Sequence, residues 1–167
     1  MKWCFIAVLP LLISCSSQNT DMAGHAGQSV ADSFRNLIRE HPDSMLLKEE
    51  WIEYNRQAGD YVRAIEETQN FLSVDSGNAR LWQILGTLQY ENTDTIAAIQ
   101  SFENAARIFP APDYLIALGT LYARKKDSKA LRAAALLDQM QSKTTIQSQF
   151  IRGLYYRKTG DTQKALQ

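Results

Sequence analysis

Apolar and small residues recur along this chain at helical spacing, and the whole pattern then recurs. From Ala79 the sequence reads A-R-L-W-Q-I-L-G, followed by Ala98, Ile99, Phe102, Ala105 and Pro110. Leu118-Gly119 with Tyr122 repeats Leu85-Gly86 with Gln89, and Gly153 with Tyr156 repeats it again, at a period of about 34 residues. Gly59-Asp60 and Gly160-Asp161 mark one and the same turn in the first and last copies. Self-similarity at this period predicts an all-α solenoid of stacked antiparallel helix pairs. Each pair has an apolar face that only its neighbour can cover.

The copies divide the chain into 45–78, 79–112, 113–145 and an incomplete 146–167. In the first, Leu47, Trp51 and Tyr54 share a helix face. Gly59 takes a left-handed turn, Asp60 caps the second helix, and Ala64, Ile65, Thr68, Phe71 and Leu72 face the core. In the third, Ala130, Ala134, Leu137 and Met140 are the expected buried face, no proline closes the copy, and Thr144-Thr145 offers a cap for the helix that follows. The fourth stops just inside its second helix, so the natural protein is expected to run on past Gln167. Residues 29–44 read as one capping helix or half-repeat. Ser29 is its N-cap, Val30, Phe34, Leu37 and Ile38 form its apolar stripe, and Pro42 is its stop. Trp51 and Trp82 fall at core places.

Trp82, Leu85, Gly86, Ala98, Phe102, Ala105 and Pro110 together resemble the signature of the tetratricopeptide repeat. The departures are Gln89 where Tyr is usual and Thr93-Asp94 where Gly-Asp is usual. The resemblance implies a right-handed superhelix whose first helices line a concave groove that holds a protein or peptide partner. The groove places in this chain fall on Arg80, Gln83, Thr87, Tyr90, Arg124 and Arg157, with Glu49, Glu53, Arg56, Glu91, Ile116, Thr120, Phe150 and Leu154 beside them. Some members of the family clamp a partner's terminal carboxylate with Lys and Asn on the first helix. Glu49 and Glu53 stand at those places here and would repel it.

The start of the chain adds a location. Lys2 precedes an apolar run from Phe5 to Ile13, closed by Ser14-Cys15. The run is too short to span a bilayer and reads as a secretory signal. A small residue before a cysteine at this place resembles the bacterial lipobox. That resemblance implies a signal peptide over 1–14, cleavage before Cys15 and covalent lipid on Cys15. Ser16, not Asp, at the next place implies sorting to the outer membrane. Ser, Gln, Asn, Thr, Gly and Asp dominate residues 15–28, which read as a flexible tether after the lipid.

Charge and chemistry narrow the function. The chain has 18 basic and 18 acidic residues, and losing Lys2 with the signal leaves 17 against 18, a net of −1. No basic surface for a nucleic acid is implied. Cys4 and Cys15 are the only cysteines, so the lipidated chain would hold neither a thiol nor a disulfide. His25 falls in the tether with no second His, Cys or carboxylate cluster nearby, and His41 falls at a helix end, where a cation suits the helix dipole. No phosphate-binding Gly-rich loop and no zinc-protease or nucleophile-elbow motif is present. The expectation is a non-enzymatic, lipid-anchored scaffold of the cell envelope, acting as an assembly adaptor. It has no metal and no cofactor beyond the lipid. The rival readings are a glycan- or nutrient-binding surface lipoprotein, which would need an exposed aromatic platform, and an accessory domain of a longer protein.

Overall fold

The structure, a computed structural model, describes residues 19–165, with side chains from residue 30 onward. Every regular element among them is a helix: α1 (Asn19–Glu40), α2 (Met45–Gln57), α3 (Tyr61–Val74), α4 (Ala79–Glu91), α5 (Thr95–Ile108), α6 (Pro112–Arg124), α7 (Lys129–Gln141), α8 (Ile146–Thr159) and α9 (Thr162–Ala165). None of these is long and apolar enough to cross a membrane.

The described residues up to Ser44 form one unit and those from Met45 onward another. In the first, α1 starts at Asn19, well ahead of the Ser29 expected as its N-cap. Residues 19–28 are therefore helical and not a tether, while Cys15 and the signal region lie outside the described residues. The difference has a simple cause. No proline interrupts 19–40, and extending an existing helix is far easier than starting one, so polar residues join it without a core to hold them.

In the second unit α2 pairs with α3, α4 with α5, α6 with α7 and α8 with α9. The second helix of each copy then packs on the first helix of the next. The turn inside each pair follows one rule. Asp60, Asp94 and Asp161 cap α3, α5 and α9 by accepting the backbone N–H of Arg63, Ala97 and Lys164. Asp127 accepts from the Lys129 amide at the same place before α7. The residue just before each Asp is left-handed: Gly59 (φ 78°), Thr93 (φ 68°), Lys126 (φ 61°) and Gly160 (φ 91°). Two of the four turns thus keep their geometry without the glycine that suits it.

Trp51, Leu81, Leu88, Leu137 and Ile151 are the largest fully buried side chains. Trp82 is half-buried, and its indole N–H donates to the Ser76 carbonyl at 2.9 Å. Gly86 lets α4 approach α5 closely, since a Cβ there would sit 3.0 Å from the Phe102 ring. On α7 the expected stripe holds at Ala130, Ala134 and Leu137, but Met140 is 41% exposed. It lies in the last turn, where the stripe has drifted off the buried side, and Ala133 is buried in its stead.

The passage from α7 to α8 replaces the missing proline with a polar hub. Thr145 caps α8 in a reciprocal box with Ser148. Asp138 on α7 accepts from the Thr145 amide (2.9 Å), from the Ser148 hydroxyl and from Arg152 Nη2 (2.7 Å). Burial pushes the Asp138 carboxyl up, but the bonds from Ser148, Arg152 and Thr145 outweigh it and hold the group below the usual carboxylate range.

Candidate functional site

The first helices of neighbouring copies are joined side chain to side chain. Arg80 on α4 grips Glu49 on α2 with two parallel bonds, Nε to Oε1 and Nη2 to Oε2, both 2.9 Å. Its third nitrogen, Nη1, donates to Gln83 at 2.9 Å, and Gln83 donates in turn to Thr87 Oγ1 at 3.2 Å. Arg56 on α2 reaches the other end of α4. Its Nη1 donates to both oxygens of Glu91 (2.9 and 3.0 Å), while Nε and Nη2 hold Glu53 (2.7 and 3.1 Å). One copy on, Arg124 of α6 donates to the Tyr90 hydroxyl of α4 at 2.6 Å, with its guanidinium 5.9 Å from the ring centroid.

These contacts set the charge of the face. The hydrogen bonds from Arg80 hold the Glu49 carboxyl below its ordinary range, and those from Arg56 and Gln57 do the same for Glu53. The carboxylates that would repel an acidic ligand at α2 are therefore each tied to a guanidinium. Arg124 rests on the Tyr90 phenol, and Arg157 on α8 is exposed, its side chain making no ion pair or hydrogen bond to another described residue. Charge is thus compensated on α2 and α4, whereas Arg124 on α6 and Arg157 on α8 have no acidic partner among the described residues. Each half-exposed pair contributes little to stability, about 0–1 kcal/mol. Their larger effect is geometric, because planar guanidinium groups fix two helices in register.

The candidate residues thus fall into three sets. Arg80, Gln83 and Thr87 form one hydrogen-bonded chain, Tyr90 and Arg124 form a second, and Arg157 stands alone. Leu154, expected in the groove, is 7% exposed and belongs to the core, while Ile116 packs against that core. Phe150 is 58% exposed. The pairings themselves were not foreseen. Their signal was opposite charges 31 and 35 residues apart, close to one repeat.

No family model matches the chain, and no curated protein matches it in sequence. Solved structures do match it. The MamA protein is similar at TM-score 0.68 and 19% identity, over 87% of this chain and 80% of that one. A tetratricopeptide repeat protein from Parabacteroides merdae is similar at TM-score 0.71 and 16% identity, over 87% of this chain and 59% of that one. YrrB, described as a TPR protein with an unusual peptide-binding site, is similar at TM-score 0.64 and 20% identity, over 81% of this chain and 71% of that one. Repeat period, helix pairing, the Asp-capped turns and these likenesses agree, and the chain has the tetratricopeptide-repeat fold.

Proposed function

We propose that this protein is a lipid-anchored scaffold of a bacterial cell envelope that holds a segment of a partner protein against its first helices. The observation that carries this reading is the set of links between first helices, Glu49–Arg80, Arg56–Glu91 and Tyr90–Arg124. They hold the face in one shape before any partner arrives, so less ordering is lost on binding. Tyr90 is partly exposed on that face beside Arg124, and Tyr and Arg are frequent anchors of protein interfaces. A peptide-binding site in YrrB, a protein of similar fold, supports the same use here. The chain carries no motif for catalysis, and binding is the activity this face serves.

The anchor rests on the sequence alone. The apolar run from Phe5 to Ile13 and the Ser14-Cys15 junction support lipid on Cys15, and Ser16 supports the outer membrane. Several acyl chains, at about 0.8 kcal/mol per buried methylene, hold a protein on a bilayer without a spanning helix. A groove tethered in this way suits an adaptor that gathers envelope proteins at one surface.

Photo-crosslinking side chains placed at Thr87 and Thr120 in the full chain, with Glu66 on α3 as control, test the groove. One and the same protein should crosslink at both groove positions and not at the control. Crosslinks confined to Glu66, or none at all, would remove the groove reading. Palmitate labelling of the Cys15→Ala chain tests the anchor separately, and undiminished labelling would remove it.

A further inference from the structure

A cleft of ≈ 400 Å³ opens between α3 and α5, the second helices of the first two complete copies, with α4 as its floor. One side chain accounts for it. At the corresponding gap one copy on, Tyr122 is buried, its hydroxyl donates to Glu103 on α5, and Lys129 sits 5.2 Å from its ring centroid. Gln89 stands at the Tyr122 place and Gln69 at the Glu103 place. Gln89 is shorter than tyrosine and turns to α5, where its Oε1 accepts a 2.6 Å bond from the Ser101 hydroxyl. The space that tyrosine takes in the next copy is left open. The walls differ as well. The counterparts of Gln100, Ser101 and Asn104 on α5 are Arg132, Ala133 and Leu136 on α7, so that the buried Ser101 hydroxyl and the Asn104 amide stand where the next copy has hydrocarbon.

The amide nitrogen of Gln89 points to a ligand. The residue is only 9% exposed, and its Nε2 donates to no other described residue. Yet no buried side-chain nitrogen or oxygen among the described residues lacks a partner. This nitrogen therefore reaches solvent, and the cleft that Gln89 lines is its opening. Gln69 and Gln100 on the walls also make no side-chain hydrogen bond to another described residue. Trp82 adds an apolar wall, because its N–H is already spent on Ser76.

None of the lining residues is charged. An ionic ligand would find no counter-charge, and a purely apolar one would strand the Gln89 amide away from water. Carboxamides offer a donor and an acceptor side by side, which is what a hydroxyl needs, since it both gives and takes a hydrogen bond. The volume lies within the range of about 300–1,000 Å³ usual for small-ligand sites. An extended peptide would need the gap to continue along the stack, and Tyr122 closes it one copy on. We propose that this cleft binds a neutral saccharide unit, with Gln69, Gln89, Gln100 and Asn104 on its hydroxyls and Trp82 against its apolar face. The site lies on the second helices and does not depend on a partner in the groove of the first helices.

Nuclear magnetic resonance titration of the isotopically labelled full chain tests it, with maltose, diacetylchitobiose and an uncharged tripeptide as probes. At least one of the two sugars should shift the Gln89 side-chain amide and the Trp82 indole resonance, saturating with a Kd on the order of 1 mM. Gln89→Tyr, which restores the residue of the next copy, should fill the cleft and abolish the shifts. Gln100→Ala, on the exposed wall, should weaken binding about tenfold without touching the core. It serves as the second readout if Gln89→Tyr fails to fold. Absence of saturable shifts with both sugars, shifts that persist in folded Gln89→Tyr, unchanged affinity in Gln100→Ala, or a response to the tripeptide alone would each overturn the proposal.

Discussion

A Cβ on Gly119 would lie 2.7 Å from Cδ1 of Ile151, so the backbone of α6 meets the fully buried side chain of α8 with no room for a methyl group. Gly153, at the same repeat place one copy on, has the Ala165 carbonyl at 3.5 Å, an ordinary contact. The same substitution should therefore have opposite signs. Gly119→Ala is expected to lose about 1–2 kcal/mol to overpacking. Gly153→Ala is expected to gain up to about 1 kcal/mol from helix propensity. Urea denaturation of both variants checks this, and a shift of the same sign in both would count against the register.

Thr93 is a β-branched residue held at φ 68°, where the other copies place Gly59, Lys126 and Gly160. Such a backbone costs on the order of 1 kcal/mol or more for a branched side chain. Thr93→Gly should relieve it and raise the stability by about 1 kcal/mol, whereas Gly59→Ala should lower it. Thermal melts decide the matter, and a lower midpoint for Thr93→Gly would contradict the strain.

Asp138 should govern part of the acid sensitivity. Its carboxyl is held below the ordinary value of about 4, so the stability it contributes is present above that pH. That contribution is lost as pH falls below about 4, toward the lowered folded value. Asp138→Asn is expected to cost about 1–2 kcal/mol at neutral pH by weakening the bonds to Arg152 and Ser148. The variant and parent curves should converge as pH drops through this window. Parallel curves down to the acid transition would rule this role out.

Replacing Arg80, Tyr90, Arg124 and Arg157 together by Ala should lower stability by no more than about 1–2 kcal/mol, because each is at least partly exposed and its pairs are worth little. Crosslinking from Thr87 and Thr120 should nevertheless vanish. If the crosslinks survive in the folded quadruple variant, the partner is held elsewhere.

Repetition made the fold readable before any coordinate. The helix pairs, the Asp caps and the close approach at Gly86 all follow from residues that recur at one spacing. What recurs only as geometry was harder to see. Thr93 and Lys126 occupy a glycine's backbone without looking like glycine, because the surrounding helices set φ there, not the residue. Arg56 and Glu91 meet because stacking brings separate copies together, and no pattern within one helix reports that. The start of α1 was misplaced for the opposite reason, since composition says little about whether an existing helix will extend. Among the groove places read from the repeat, Leu154 is buried and Ile116 packs on the core, because their burial depends on how α6 and α8 rotate against each other.

Most of the buried apolar residues from Met45 onward fall into two groups. One joins Ile52, Ala64 and Leu72 to Leu81, Leu85 and Leu88, and the other runs from Ala98 and Phe102 through α6, α7 and α8. Their boundary passes between α4 and α5, where a glycine against a phenyl ring and the Gln89–Ser101 bond make part of the join. The two groups therefore meet inside the most regular copy, across the closely packed α4–α5 pair. Amide exchange should show α4 and α5 opening together, carrying protection across the boundary between the two groups. Copies that stand apart in the sequence would then open as neighbours in one array, whichever apolar group their helices join.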